Sequence, residues 1–262
     1  MTAREIEQVV LQIAPLENGI EGDPNGLLYG DPDQEITGLA VTWTTTVKVL
    51  RQAAASGLNF VLSHEHPFFA SSPSSWFATY PTDGRPHNIA RHKVADDHKL
   101  VICRCHSNWD GTAGQGVADS IANQLEFGDP IHESHFVRVY EIPRQTLAEL
   151  AQWAKLRLGL PIVRIAGDLA RAVEKVGIAY GGLAQRYDYV DEFLMNGADA
   201  VIVGEAIDYS IRAAIDAGIG FIETSHVGSE NPGMRNFARL LQEQLPNLPV
   251  EFIDAGHEWV YR

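Results

Sequence analysis

Three histidines of this chain stand at the ends of apolar runs, each with a carboxylate close behind. They are His64 in "NFVLSHEH", His106 in "VICRCH" and His226 in "FIETSH", followed by Glu65, Asp110 and Glu230. Neutral imidazole and carboxylate together suit zinc, manganese, iron or nickel. These ligands outnumber what one tetrahedral ion uses, so the count points to two divalent metal ions sharing bridging carboxylates. Such a pair of ions can hold a bridging water, lower its pKa and stabilise both the attacking and leaving oxygens of a hydrolysis. The expected chemistry is metal-dependent hydrolysis, for which a further His or Glu would act as general acid or base.

The elements that must position these residues alternate between strand and helix. Ile6, Val9, Val10 and Ile13 recur at helical spacing, and "DPNGLLYGDPDQEITG" supplies the turn residues of a long loop. Strand "GLAVTW", helix "TTTVKVLRQAAASG" ending at Gly57 and strand "LNFVLS" lead to His64. A Ser/Pro-rich excursion over 71–86 precedes a helix near 87–98 and the strand "LVICRC" before His106. The alternation continues through "QTLAELAQWAKLRLG", with Leu147, Leu150, Ala154 and Leu158 on one helical face, to strands "ADAVIVG" and "GFIETS", helix "NPGMRNFARLLQEQL" and strand "VEFID". This order predicts an α/β fold with mainly parallel sheets and right-handed crossovers. The carboxyl ends of parallel strands share one edge, where such sheets bind ligands, and the histidines are expected to meet there. The segment "EFGDPIHES", 126–134, reads as the nearest thing to a linker.

Composition narrows the partners. With 34 acidic against 20 basic residues and a net charge of −14, the chain opposes sequence-independent binding to nucleic acid or to an anionic membrane, both of which need a positive field. It carries no run of 18 apolar residues, and its first residues, "MTAREIEQVV", have neither a basic nor an apolar targeting pattern, so a cytoplasmic protein is expected. A helix N-terminus near Asn231 favours anions, which makes a small phosphate- or carboxylate-bearing molecule the expected substrate, nucleotides included. Cys103 and Cys105, one residue apart, are too close for an ordinary disulfide; a CxC pair can bind metal, but without partner cysteines they read as small apolar residues lining a strand. The other histidines, His87, His92, His98, His132, His135 and His257, lack the strand-end context and are expected at the surface.

Taken in order, "PNGLLYG", "VLSHEHPFF", "CHSNWDGTAGQGVADSIA", "YGG", "ADAVIVGEAIDYSIRAAIDAGIGFIETSHVGSE" and "VEFID" resemble the dinuclear metal-centre family of NGG-one-interacting-factor-three-like proteins, in its short form. Many members of that family are named type 2 GTP cyclohydrolase I. The resemblance implies an outer metal-binding lobe from 1–130 and 218–262, a middle lobe from 131–217, a metal cleft between the lobes and a homo-oligomer, commonly a hexameric ring. It carries the metal ligands onto His64 and Glu65, His106 and Asp110, and His226 and Glu230. At "HEH" the chain departs from a consecutive histidine pair. Gap-free matching puts Glu65 in the second place, whereas strand alternation would put His64 and His66 on one side. His66 is therefore a further candidate, as ligand or proton-transfer group, and Glu205 in "VGEAID" is a second candidate for acid–base work. Gly181, Gly182, Gly204 and Asn25 also match, as turn residues or as contacts to the site. The alternative function is a metal-binding regulator, carrier or interaction protein with little turnover.

Overall fold

The computed structural model describes residues 1–68, 84–134, 136–186 and 188–258. The protein is a mixed α/β chain with two sheets. By packing it divides into two units, Met1–Thr112 with Met234–Arg262, and Ala113–Gly233. The expected Ser/Pro-rich excursion lies outside the described residues up to position 83. No helix among the described residues is long and apolar enough to cross a membrane.

The first unit contains α1 (Ala3–Ile13), β1 (Gly26–Tyr29), β2 (Leu39–Thr42), α2 (Val47–Ala55), β3 (Phe60–Ser63), α3 (Pro86–Asp97), β4 (Val101–Arg104) and α4 (Ser107–Asp110). Thr2 starts α1 with a capping box: its hydroxyl accepts from the Glu5 N–H, and the Glu5 carboxylate accepts from the Thr2 N–H. Ile6 and Val10 then fall on one face and are fully buried. Every residue of β2, β3 and β4 is buried. That is the pattern of parallel strands covered on both faces. The sheet order is β1-β4-β3-β2-β11, with β11 at Val250–Phe252. All its pairings are parallel except β1 with β4. Because β3 and β4 run in the same direction side by side, with Ser63 opposite Arg104, the residues that follow them emerge at the same edge.

The second unit contains α5 (Val117–Gln124), β5 (Pro130–Glu133), β6 (Arg138–Thr146), α6 (Leu147–Arg157), β7 (Arg164–Ala166), β8 (Ala172–Ala179), α7 (Asp188–Met195), β9 (Ala200–Val203), α8 (Asp208–Asp216) and β10 (Gly220–Glu223). Its sheet runs β5-β6-β8-β9-β10-β7. Strands β8, β9 and β10 are parallel, whereas β5, β6 and β7 pair antiparallel with their neighbours. The mixture arises because the chain passes from β6 through α6 to β7 at the far edge, so β6 and β7 share a direction. The reversal at 167–171 then sends β8 the opposite way. Alternation along β9 divides its side chains between two cores. Ala200 and Ile202 join Leu147, Leu150 and Val176 on one face. Val201 and Val203 join Val190, Phe193 and Ala214 on the other.

Two boundaries differ from the sequence expectation. The segment 126–134, read as a linker, contains edge strand β5, with Pro130 in its first position, where a strand needs no N–H from it. Strand β10, assigned to the outer lobe, pairs with β9 and β7 in the six-stranded sheet. A βα alternation reports where strands are but not which sheet each joins, since that depends on pairing partners distant in sequence. The last helix, α9 (His226–Gln244), starts five residues before the expected Asn231, and the division between the units falls within it.

Gly177 in β8 is required by its neighbour: a Cβ there would lie 2.2 Å from Cδ1 and 2.5 Å from Cε1 of the buried Phe193 ring. Gly177→Ala should destabilise the protein by about 1–3 kcal/mol in chemical denaturation, the usual cost of overpacking. The loss should shrink in a Phe193→Leu background, and additivity of the two changes would show that this contact is not the cause.

Candidate metal centre

His64 follows β3, and its ring is fully buried. Its Nδ1 lies 3.0 Å from the Cys105 carbonyl, and its Nε2 is 3.6 Å from Asp110 Oδ1. His106 follows β4, with its ring centroid 4.9 Å from that of His64. The short helix α4 begins directly after His106, and Asp110 N–H donates to the His106 carbonyl at 3.0 Å. One helical turn thus brings Asp110 back beside the histidine, the geometric meaning of the HxxxD spacing. One donor atom from each of His64, His106 and Asp110 falls within 4.8 Å of the others.

The second unit repeats the arrangement on α9. His226 and Glu230 stand one turn apart, with His226 Nε2 at 3.2 Å from Glu230 Oε1. His226 Nδ1 lies 3.0 Å from Glu205 Oε1, which also accepts from Gln185 Nε2 at 2.5 Å. Ser225, just before the helix, adopts a φ of 75°. A left-handed serine costs on the order of 1 kcal/mol. Its hydroxyl accepts from the Gly228 N–H at 3.1 Å, so the turn that aims His226 also caps the helix.

Each of the three histidines has its Nδ1 against an oxygen that can only accept: the Cys105 carbonyl, Asp23 for His106 at 2.8 Å, and Glu205. Nδ1 must therefore carry the proton, which puts the lone pair of the neutral ring on Nε2. In His64 and His226 that lone pair faces a carboxylate oxygen. Two acceptors facing each other repel unless a cation, either a proton on Nε2 or a metal ion, lies between them. The donor set thus fits a divalent metal.

The expectation that all three histidines share one sheet edge is not met. His64 and His106 follow strands of the five-stranded sheet, while His226 follows β10 of the six-stranded one. Glu65 is half-buried, with its N–H donating to the Trp43 carbonyl at 2.8 Å. His66 is half-buried as well; burial first, then the charge of Arg104, pushes its imidazole down to about 4, so it is neutral at pH 7. Two of the glycines that matched the family motif, Gly181 and Gly204, are packing requirements, whereas a Cβ on Gly182 would make only ordinary contacts. Gly181 has a φ of 56°, and a Cβ on it would lie 2.0 Å from Glu230 Oε1; one on Gly204 would lie 2.2 Å from the Gly181 carbonyl oxygen. Asn25 Oδ1 accepts from the His106 N–H at 2.8 Å. Cys103 and Cys105 are fully buried, burial raises both thiols, and neither joins a ligand group among the described residues. Of the remaining histidines, His87, His98 and His257 are exposed as expected, His92 and His132 are half-buried, the first stacking on Phe68 at 4.0 Å and the second 3.2 Å from Glu192, and His135 lies outside the described residues.

Sequence reasoning missed Asp23. Its carboxylate has no exposed surface, and it takes Arg104 Nη1 at 2.5 Å on Oδ1. Oδ2 accepts from His106 Nδ1, from Ser107 Oγ at 2.6 Å and from the Ser107 N–H at 3.1 Å. Burial alone would raise this carboxyl, but His106, Arg104 and Ser107 together hold it well below the usual carboxylate range. Its sequence context, "GDPNG", carries only the signal of a turn.

Histidine–carboxylate pairs after the strands of two α/β units define a candidate metal-binding protein. The model of the DUF34/NIF3 (NGG1p interacting factor 3) family matches residues 1–258, and the chain belongs to that family. It is 28% identical over 263 residues to a Clostridium perfringens protein named "GTP cyclohydrolase 1 type 2 homolog", covering 97% of this chain and 95% of that one. Among solved structures it resembles ybgI, titled as a protein of unknown function, with a TM-score of 0.85 at 24% identity, covering 98% of this chain and 99% of that chain. Staphylococcus aureus protein SA1388 also gives a TM-score of 0.85, at 18% identity over 100% of this chain and 99% of the other.

His66 generates a pH dependence in the metal-free protein. Its folded pKa of about 4 lies below the ordinary 6.5, so protonation favours the unfolded chain. The contribution is complete above pH 6.5 and is lost as pH falls through 4. After discounting for solvent screening it should amount to about 1–2 kcal/mol. Urea denaturation of wild type and His66→Asn between pH 7 and pH 4 checks this: the wild type should lose more stability on acidification, and equal slopes would exclude His66 as the source.

Proposed function

We propose that this chain is a metal-dependent hydrolase acting on a small anionic substrate. In this reading one divalent ion is held by His64, His106 and Asp110 and a second by His226 and Glu230, with Glu65 as the remaining carboxylate of the set. The supporting observation is the facing of acceptors: Nε2 of His64 lies 3.6 Å from Asp110 Oδ1, and Nε2 of His226 lies 3.2 Å from Glu230 Oε1, each with Nδ1 already committed as a donor. When bound, the ions would supply positive charge for an anionic substrate and acidify a water for attack.

The chain's own groups divide the remaining work. His66, its imidazole pushed down to about 4 by burial, is neutral at pH 7 and so has a lone pair to offer as hydrogen-bond acceptor or metal ligand. Glu205, engaged by His226 and Gln185, orients His226. The full burial of His64 favours a second reading, a protein that holds metal as a regulator or carrier, because a buried ligand shields a bound ion from exchange with solvent. The ring-shaped hexamer implied by the family resemblance belongs to the same proposal.

Elemental mass spectrometry of chelator-free protein tests the metal reading. Wild type should retain about two ions per chain, and His106→Ala and His226→Ala about one each. Absence of metal even after reconstitution would overturn it. Loaded protein should then be assayed on phosphoesters and nucleotides, GTP included because relatives carry a GTP cyclohydrolase name. Metal without turnover would favour the carrier.

A further inference from the structure

We propose that Asp23 is a positioning residue, which fixes His106 in its Nδ1–H tautomer and presents Nε2 as the ligand atom. The inference rests on the metal reading only for what Nε2 then binds. Four donors reach Asp23: the Arg104 guanidinium meets Oδ1, and the His106 ring with the Ser107 hydroxyl and N–H meets Oδ2. A carboxylate offers about two acceptor sites on each oxygen, so Oδ2, the oxygen that meets His106, is fully engaged by its three donors. With no exposed side-chain surface, it acts through His106 alone.

The same turn holds the histidine a second time. Asn25 Oδ1 accepts from the His106 backbone N–H at 2.8 Å, while Asn25 Nδ2 donates to the Asp23 carbonyl at 3.2 Å. Ring and backbone of His106 are thus clamped by residues 23 and 25. A buried carboxylate needs a counter-charge, and Arg104, 1% exposed at the end of β4, provides it. The contrast with His64 is chemical. There a neutral carbonyl accepts the Nδ1 proton, whereas an anion accepts it from His106, and an anionic acceptor makes the opposite nitrogen a stronger metal donor.

The test reads the ring nitrogens of the full chain by 15N-edited imidazole NMR in the metal-free state, with His106→Gln to assign the signal. Wild-type His106 should be the Nδ1–H tautomer. Asp23→Asn should yield a mixture with the Nε2–H form and weaken zinc binding about 10–100-fold, measured by competition with a chromophoric chelator. Because Asp23→Asn leaves Arg104 without its counter-charge, the double variant Asp23→Asn/Arg104→Gln is measured alongside, with circular dichroism reporting its folding. An Nε2–H tautomer in the wild type, which needs no variant, overturns the proposal. So does an unchanged tautomer in a folded variant, or zinc affinity within twofold of wild type. If wild type takes up no zinc, the metal reading fails instead, and the tautomer alone decides the role of Asp23.

Discussion

A lone pair on Nε2 facing a carboxylate oxygen is an arrangement that a folded chain does not keep without reason. His64 with Asp110 and His226 with Glu230 both show it, with three of the four groups buried and His226 half-buried. In such surroundings little water is at hand to screen the repulsion between the two acceptors. A cation between the groups removes the penalty. The rest of the local structure holds these acceptors in place.

That holding is done from the Nδ1 side. Each imidazole donates to an oxygen anchored elsewhere: a strand-end carbonyl for His64, buried Asp23 for His106 and Glu205 for His226. The anchors differ in charge and exposure, so the three histidines are not equivalent. Asp23 also ties the site to the fold, because its partner Arg104 is the last residue of β4 and sits opposite Ser63 at the end of β3. The site edge of the five-stranded sheet and the turn at residues 23–25 are therefore one hydrogen-bonded assembly.

The glycines around Glu230 express the same constraint as space. Gly181 and Gly204 stand where a Cβ would meet Glu230 Oε1 or backbone within 2.2 Å. Positive φ at Gly181 and at Ser225 bends the chain toward the carboxylate and the histidine. Small residues here are a consequence of placing two polar groups close together in a packed interior.

Much of this was legible in the residue order. The strands, most helices, the mixed α/β class and the three histidine–carboxylate pairs follow from short-range pattern: apolar runs of strand length, caps such as Thr2 and Thr146, and i, i+4 spacing in HxxxD and HxxxE. Local spacing encodes what one strand end or one helical turn brings together. It does not encode partners across tens of residues. Tertiary pairing alone placed β10 in the second sheet, turned the segment at 130–133 into an edge strand, and set Asp23 against His106, 83 residues away. A buried carboxylate in a turn motif looks, in sequence, like any other turn aspartate. Its role is decided by which donors the fold brings to it.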